Sequence, residues 1–186
     1  MENTPGTDRS SAAAIGGAVR SAALTRREFF LDLVDELRRT LPAPLADFQL
    51  RQTASLIKIY YGNERIHFEV WTNSARGTLE VGLHFEDGPA STEDYLAFFD
   101  DRIVEIKHQL GLPVELERWT PSWGHLYEVM PLPRLDRGVV KQTGQRLSLL
   151  ISMLQPLVEQ AGIPPGSVVQ MRQPASGPWR GRRRRR

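Results

Sequence analysis

The fold of this chain is decided between Ser55 and Glu86, in the stretch SLIKIYYGNERIHFEVWTNSARGTLEVGLHFE. Within it, apolar and polar residues alternate with a period of two in Leu56–Tyr61, Ile66–Trp71 and Leu79–Phe85. Because successive side chains of a strand point to opposite faces, this pattern predicts a β-meander with one buried and one polar face. The polar face then collects nearly every residue that is able to do chemistry.

The turns of the meander decide which side chains oppose each other. The Gly-Asn pair at 62–63 is typical of a tight hairpin, and a turn centred there places Lys58 opposite His67. The second turn can hold two or four loop residues. With two, His67 faces Glu80; with four, Glu69 faces Glu80, and this like-charge pair disfavours the register.

Helices are predicted on both sides of the meander. Thr25 and Glu28 form a capping-box pattern at the start of the first helix. The second helix begins near Ser91 and ends at Gly111, which suits a helix terminus. Asp136 can cap a third helix, in which a late proline is expected to introduce a kink or an early end.

Two further strands, Val114–Trp119 and Gly124–Leu132, complete the predicted order α-β-β-β-α-β-β-α. This order predicts an α+β fold in which an antiparallel five-stranded sheet packs against helices. We expect a single domain over residues 24–162. The flanking residues 1–23 and 163–186 are rich in small, polar, proline or arginine residues and are expected to be disordered.

In element order alone, the region from Thr25 to Gln160 resembles the type III secretion chaperone-like fold. In that family a five-stranded antiparallel sheet is flanked by helices, and many members dimerise and bind partner polypeptides. The resemblance implies a dimeric, chaperone-like domain that binds a partner protein. We therefore expect a binding or adaptor domain without catalytic activity and without a cofactor.

Composition excludes several classes of site. The chain has no cysteine, which excludes disulfides, thiolate zinc sites and cysteine nucleophiles. It has no P-loop, no dinucleotide-binding glycine motif and no serine nucleophile elbow. It also has no apolar run of the roughly 18 to 20 residues needed to cross a bilayer, and no clear signal peptide, so we expect a cytoplasmic protein.

The positive charge is concentrated at the C-terminus. Without the six arginines near the end, the 24 basic residues fall to 18 against 22 acidic ones, a net charge of −4. The body is therefore mildly acidic, and only the tail is predicted to attract nucleic acid or another anionic partner. The residues of this tail are Trp179, Arg180, Arg182, Arg183, Arg184, Arg185 and Arg186.

The polar face of the meander also offers ligands for a divalent metal ion. The candidates are His67, Glu69, Glu80 and His84, which combine the imidazole and carboxylate groups that such ions bind. The alternative interpretation is a solvated sheet face, which places polar residues there by default. His125, on a later strand, has no acid placed beside it by sequence spacing.

The same segment resembles the core of PD-(D/E)XK nucleases, which hold Mg²⁺ with acidic residues on the second and third strands. The resemblance assigns those roles to Glu69 and Glu80. The sequence departs from the family pattern at Gly82, where the family has a lysine, and the strand lysine Lys58 lies two strands away. A metal-dependent nuclease is therefore the alternative to the adaptor function.

Two regions are candidates for binding a partner protein. Trp119 and Trp123 lie in a short connector, where they form either an exposed ledge or a plug at the end of the sheet. The third helix is apolar over much of its circumference. Leu150 and Leu154 are therefore candidates for a dimer interface, or else they pack within the chain.

Overall fold

The structure is a computed structural model that describes residues 22–111 and 114–166. In chain order the elements are α1 (Arg26–Thr40), α2 (Ala43–Ala46), β1 (Gln49–Gln52), β2 (Leu56–Tyr60), β3 (Ile66–Asn73), β4 (Thr78–Phe85), α3 (Pro89–Asp100), α4 (Ile103–Leu110), β5 (Glu115–Thr120), β6 (Trp123–Pro131) and α5 (Arg137–Ala161). Among these residues, no helix is both long and apolar enough to cross a membrane.

The strands form one antiparallel sheet in the order β1-β2-β3-β4-β6-β5. Its apolar face packs against helices: α5 contacts β4 and is itself packed against α1, while α3 contacts β4, β5 and β6. The fully buried side chains of this core include Phe30, Leu33, Phe68, Leu83 and Phe99. The predicted α+β architecture, an antiparallel sheet with helices, is thus confirmed.

The predicted number of five strands is wrong, because the sheet formed by the described residues has six. The additional strand, β1, pairs with β2 at one edge of the sheet. All four of its residues are exposed, so its sequence, Gln-Leu-Arg-Gln, shows no alternation of buried and exposed positions. A period-two search depends on that alternation and does not detect such a strand.

The predicted register of the first hairpin is also wrong. Lys58 lies opposite Glu69, not His67, because the connection between β2 and β3 contains five residues instead of a two-residue turn. The second connection has four residues, yet Glu69 lies opposite Gly82 and not opposite Glu80. The register of the first hairpin differs from the predicted one by two residues. The register of the second hairpin also differs by two residues from the one predicted for a four-residue loop. Because a shift of two residues keeps each side chain on the same side of its strand, each side chain stays on the predicted face.

The predicted helix caps on α1 and α5 are present. The Thr25 hydroxyl accepts a hydrogen bond from the Glu28 amide at 3.2 Å, and the Glu28 carboxylate accepts one from the Thr25 amide at 2.8 Å. Asp136 accepts one from the Val139 amide at 3.1 Å. These bonds satisfy amides that have no partner inside a helix.

The second and third helices differ from their predicted outlines. The predicted second helix is divided at residues 101–102 into α3 and α4, where the backbone leaves the helical path at Arg102. The third continues past Pro156 to Ala161, so the proline does not shorten it. The predicted disordered segments, including the arginine-rich tail, lie almost entirely outside the described residues.

Candidate functional site

Three histidines lie side by side across the middle of the sheet. His67 on β3 pairs with His84 on β4, and His84 pairs with His125 on β6. Tyr60 and Glu117 extend the same row onto β2 and β5. All five positions fall on the polar face, so the alternation of five strands and their registers together build this histidine row and its two flanking positions.

The imidazoles of the histidine row are buried, and most of their ring nitrogens have no hydrogen-bond partner among the described residues. The exposed fractions of His67, His84 and His125 are 0%, 2% and 5%. Within the described part of the chain, both ring nitrogens of His67 and His125, and Nε2 of His84, have no hydrogen-bond partner. Burial of a polar group without a partner costs free energy, so a ligand that supplies the missing interactions would stabilise this arrangement.

Glu80 provides an oxygen between two of these imidazoles. Its Oε1 lies 3.7 Å from Nε2 of His84 and 3.5 Å from Nδ1 of His125. Both distances exceed those of hydrogen bonds, which are about 2.7–3.2 Å. A tetrahedral ion about 2.1 Å from each ligand separates its ligand atoms by about 3.4 Å. The three side chains are therefore spaced as ligands around a common ion, and we call them the Glu80 triad.

A second carboxylate lies behind the Glu80 triad. Oε2 of Glu117 is 3.7 Å from Nε2 of His125, on the side of the ring away from Glu80, and it accepts a 2.9 Å hydrogen bond from the Tyr127 hydroxyl. Partial burial and this bond to Glu117 raise the pKa of Tyr127 to about 12. The His125 ring stacks on both Tyr127 and Trp119, with ring centroids 3.8 and 5.6 Å away. Such outer groups fix the orientation of a ligating imidazole.

The other side of His84 has a second group of potential ligands. His67, Glu69, His84 and Glu86 each place one ligand atom within 4.8 Å of the others. This group already contains a cation, because the Lys58 ammonium lies 2.7 Å from Glu86 and 3.9 Å from Glu69. In residues 22–111 and 114–166, the two histidines alone lie within ion-pair distance of Glu80, and no lysine or arginine does. Electrostatics therefore favours a metal ion in the Glu80 triad.

Burial strongly lowers the pKa of His84, and its electrostatic interactions with His67, His125 and Lys58 lower that pKa further. His84 is accordingly a neutral imidazole at neutral pH, the form that binds metal ions.

The four metal ligands predicted from the sequence lie on one face of the sheet, in two groups that share His84. His67 and Glu69 belong to one group and Glu80 to the other. The two imidazoles are buried, whereas the alternative interpretation predicts solvated side chains. His125 was missed as a partner of this cluster. Its proximity depends on the pairing of β4 with β6, which are separated by two helices and β5 in the sequence.

The strand pairing places a lysine near one of the acidic residues of the nuclease pattern, but not at the position where that family has it. Lys58 reaches the cluster from β2, directly opposite Glu69. At Gly82, where the nuclease pattern has its lysine, an added Cβ would lie 2.6 Å from the Leu126 carbonyl oxygen and from the Cβ of Tyr127. The close approach of β4 and β6 therefore leaves no space for a side chain at this position.

The candidate partner-binding residues divide into two groups. Trp119 and Trp123 are 56% and 43% exposed and contact each other, with ring centroids 6.1 Å apart. Leu150 and Leu154 are fully buried in the core, so their side chains are occupied within the chain, and the neighbouring Leu149 is the exposed residue. The basic tail from Trp179 to Arg186 lies outside the described residues.

A pocket of about 270 Å³ opens over the polar face. It is lined by Leu56, Lys58, Glu69, Trp71, Glu80, Glu86, Trp119 and Trp123. Because Glu80 belongs both to this lining and to the Glu80 triad, the pocket gives the triad a route to solvent. Comparison of the chain with protein-family models, with curated proteins and with solved structures found no match.

Proposed function

We propose that this protein binds a divalent transition-metal ion at Glu80, His84 and His125 and presents it to the pocket above. The function rests on one observation: two buried imidazole nitrogens, which have no hydrogen-bond partner among residues 22–111 and 114–166, lie 3.5 and 3.7 Å from one carboxylate oxygen. Hydrogen bonds within the described chain leave these nitrogens without a partner, and an ion bound between them would supply the missing interaction.

The ligand set restricts the kind of ion. Two imidazoles and one carboxylate suit Zn²⁺ or Fe²⁺, whereas Mg²⁺ prefers an octahedral shell of oxygens. Three protein ligands leave at least one coordination position open, which is the arrangement of catalytic rather than structural metal sites. The open position would face the pocket, because Glu80 lines it.

Calorimetric titration of the metal-free chain with Zn²⁺ and Mn²⁺ tests this proposal. We expect saturable binding of one ion per chain, with Zn²⁺ bound more tightly than Mn²⁺, as the usual order of affinities requires. Glu80→Gln keeps the shape of the side chain but removes its charge, and it should weaken Zn²⁺ binding about 100-fold. This value follows because the binding free energy of a four-ligand zinc site, about 10–16 kcal/mol, corresponds to roughly 3 kcal/mol for each ligand.

Glu105→Gln is the matched control for this titration. Glu105 is an exposed residue of α4, so the same loss of one negative charge occurs away from the sheet. We expect wild-type affinity for this variant. Absence of binding to the wild type, or equal weakening by both substitutions, would contradict a site at Glu80.

A binding or adaptor function is the second candidate, supported by the exposed edge of the sheet. β1 pairs only with β2 among the described strands, and Leu50 at its centre is 38% exposed. An open edge can accept a strand from a partner or from a second copy of the chain.

Leu50→Pro tests a dimer formed through β1, because proline removes one backbone amide from the edge strand. The substitution should weaken the dimer, and sedimentation equilibrium of the wild type and the variant measures this. A monomeric wild type would contradict such a dimer.

A further inference from the structure

The pocket above the Glu80 triad has aromatic walls. Trp71, Trp119 and Trp123 line it together with Leu56. Trp119 is parallel to the His125 ring, at an interplanar angle of 9°, and this places an indole beside one of the proposed ligands. Large aromatic side chains are usually well buried, yet two of these three are about half exposed. Their free faces are available for stacking against a planar group.

The charges of the lining indicate what else the ligand carries. Three carboxylates and the Lys58 ammonium surround the pocket. Lys58 is already paired with Glu86 at 2.7 Å. A bound divalent ion would cancel the remaining negative charge, so the loaded pocket has no excess positive charge with which to attract a polyanion such as nucleic acid. A compact ligand with an oxygen donor for the ion fits this balance.

The size of the pocket sets a limit on the ligand. Sites for drug-sized molecules usually measure about 300–1,000 Å³. A volume of about 270 Å³ lies just below this range and accommodates a molecule of one or two rings.

We propose that the pocket binds a small molecule with a planar apolar group, which stacks on the tryptophans, and an oxygen donor, which binds the metal ion. This inference rests on the proposed metal site and identifies the class of ligand that reaches the ion. Trp119 and Trp123 are thereby ligand-binding residues of a small-molecule site.

Two hydroxamates test the inference, because they bind a metal ion through the same oxygens and differ in the apolar group. We expect benzohydroxamate to bind the Zn²⁺-loaded chain about tenfold more tightly than acetohydroxamate, since only its ring can stack. Trp123→Ala should reduce this ratio to about one and leave acetohydroxamate and Zn²⁺ affinities unchanged. Trp123 is preferred to Trp119 for substitution because it does not stack on His125.

Leu149→Ala is the control, since it removes an exposed apolar side chain of α5 that does not line the pocket. It should keep the wild-type ratio. If the wild-type ratio is near one, or if Trp123→Ala keeps a tenfold ratio, the aromatic pocket is refuted while the metal site stands. If Zn²⁺ itself fails to bind, the metal site is refuted and this inference falls with it.

Discussion

Replacement of His84 by leucine is expected to have opposite effects on metal binding and on stability. His84 belongs to both groups of potential ligands on the polar face, so His84→Leu disrupts each of them. We expect Zn²⁺ affinity to fall by at least about 100-fold, since one ligand of a zinc site contributes about 3 kcal/mol. Isothermal titration calorimetry of the wild type and the variant measures this loss.

The metal-free variant should be at least as stable as the wild type. His84 is 98% buried, as its 2% exposed fraction shows, and its Nε2 lacks a hydrogen-bond partner within the described residues. Leucine has a similar volume and no polar atom, so it removes a desolvation cost of about 1–3 kcal/mol. Urea unfolding of the two metal-free proteins should therefore show a higher free energy of unfolding for His84→Leu.

His108→Leu is the matched control, because His108 is the one histidine outside the row and is exposed on α4. It should change neither Zn²⁺ affinity nor stability by a measurable amount. A His84→Leu variant that is strongly destabilised without metal would show that the imidazole serves packing. The opposed changes are typical of a functional site, where residues are retained at some cost in stability.

The faces of the strands could be predicted from the sequence, but their partners could not. Alternation assigns Lys58, Glu69 and His67 to definite faces, and an error of two residues in register leaves those assignments intact. The same error changes which residue faces Glu69. Site geometry depends on these pairings, so the faces were predicted correctly while the contacts were not.

The missing third histidine shows the same limit at longer range. Nothing near His125 in the sequence links it to His84, since the link is made by the pairing of β4 with β6 after an intervening strand and two helices. The exposed strand β1 was missed for the converse reason, because it has no buried face to create a pattern. Local periodicity reports burial, and both features depend on strand pairing instead.

Truncation of Arg146 is expected to cause the largest loss of stability. Its guanidinium donates two hydrogen bonds to the Glu128 carboxylate, at 2.6 and 2.5 Å, and a third to the Leu110 carbonyl oxygen at 2.8 Å. Glu128 lies on β6 with 5% of its surface exposed, on the core face of the sheet. These bonds join α5 to the sheet and to the end of α4.

Arg146→Ala leaves the Glu128 carboxylate buried without its partner, which typically costs about 3–5 kcal/mol. Since small domains have a total stability of about 5–15 kcal/mol, urea unfolding should show a large decrease in the transition midpoint at an unchanged slope. Arg39→Ala is the control. Arg39 also pairs with a carboxylate, that of Glu36, but its own side chain is largely exposed, so the substitution should lower the free energy of unfolding by at most about 1 kcal/mol.

The double variant Glu128→Met/Arg146→Met separates the charge from the contact. If the destabilisation of Arg146→Ala comes from an unpaired buried carboxylate, replacement of both partners by apolar side chains should recover most of the lost stability, because no buried charge remains. Recovery should be incomplete, since the Leu110 carbonyl still loses its donor. A double variant as unstable as Arg146→Ala would instead assign the loss to the packing of the arginine side chain between α5 and the sheet.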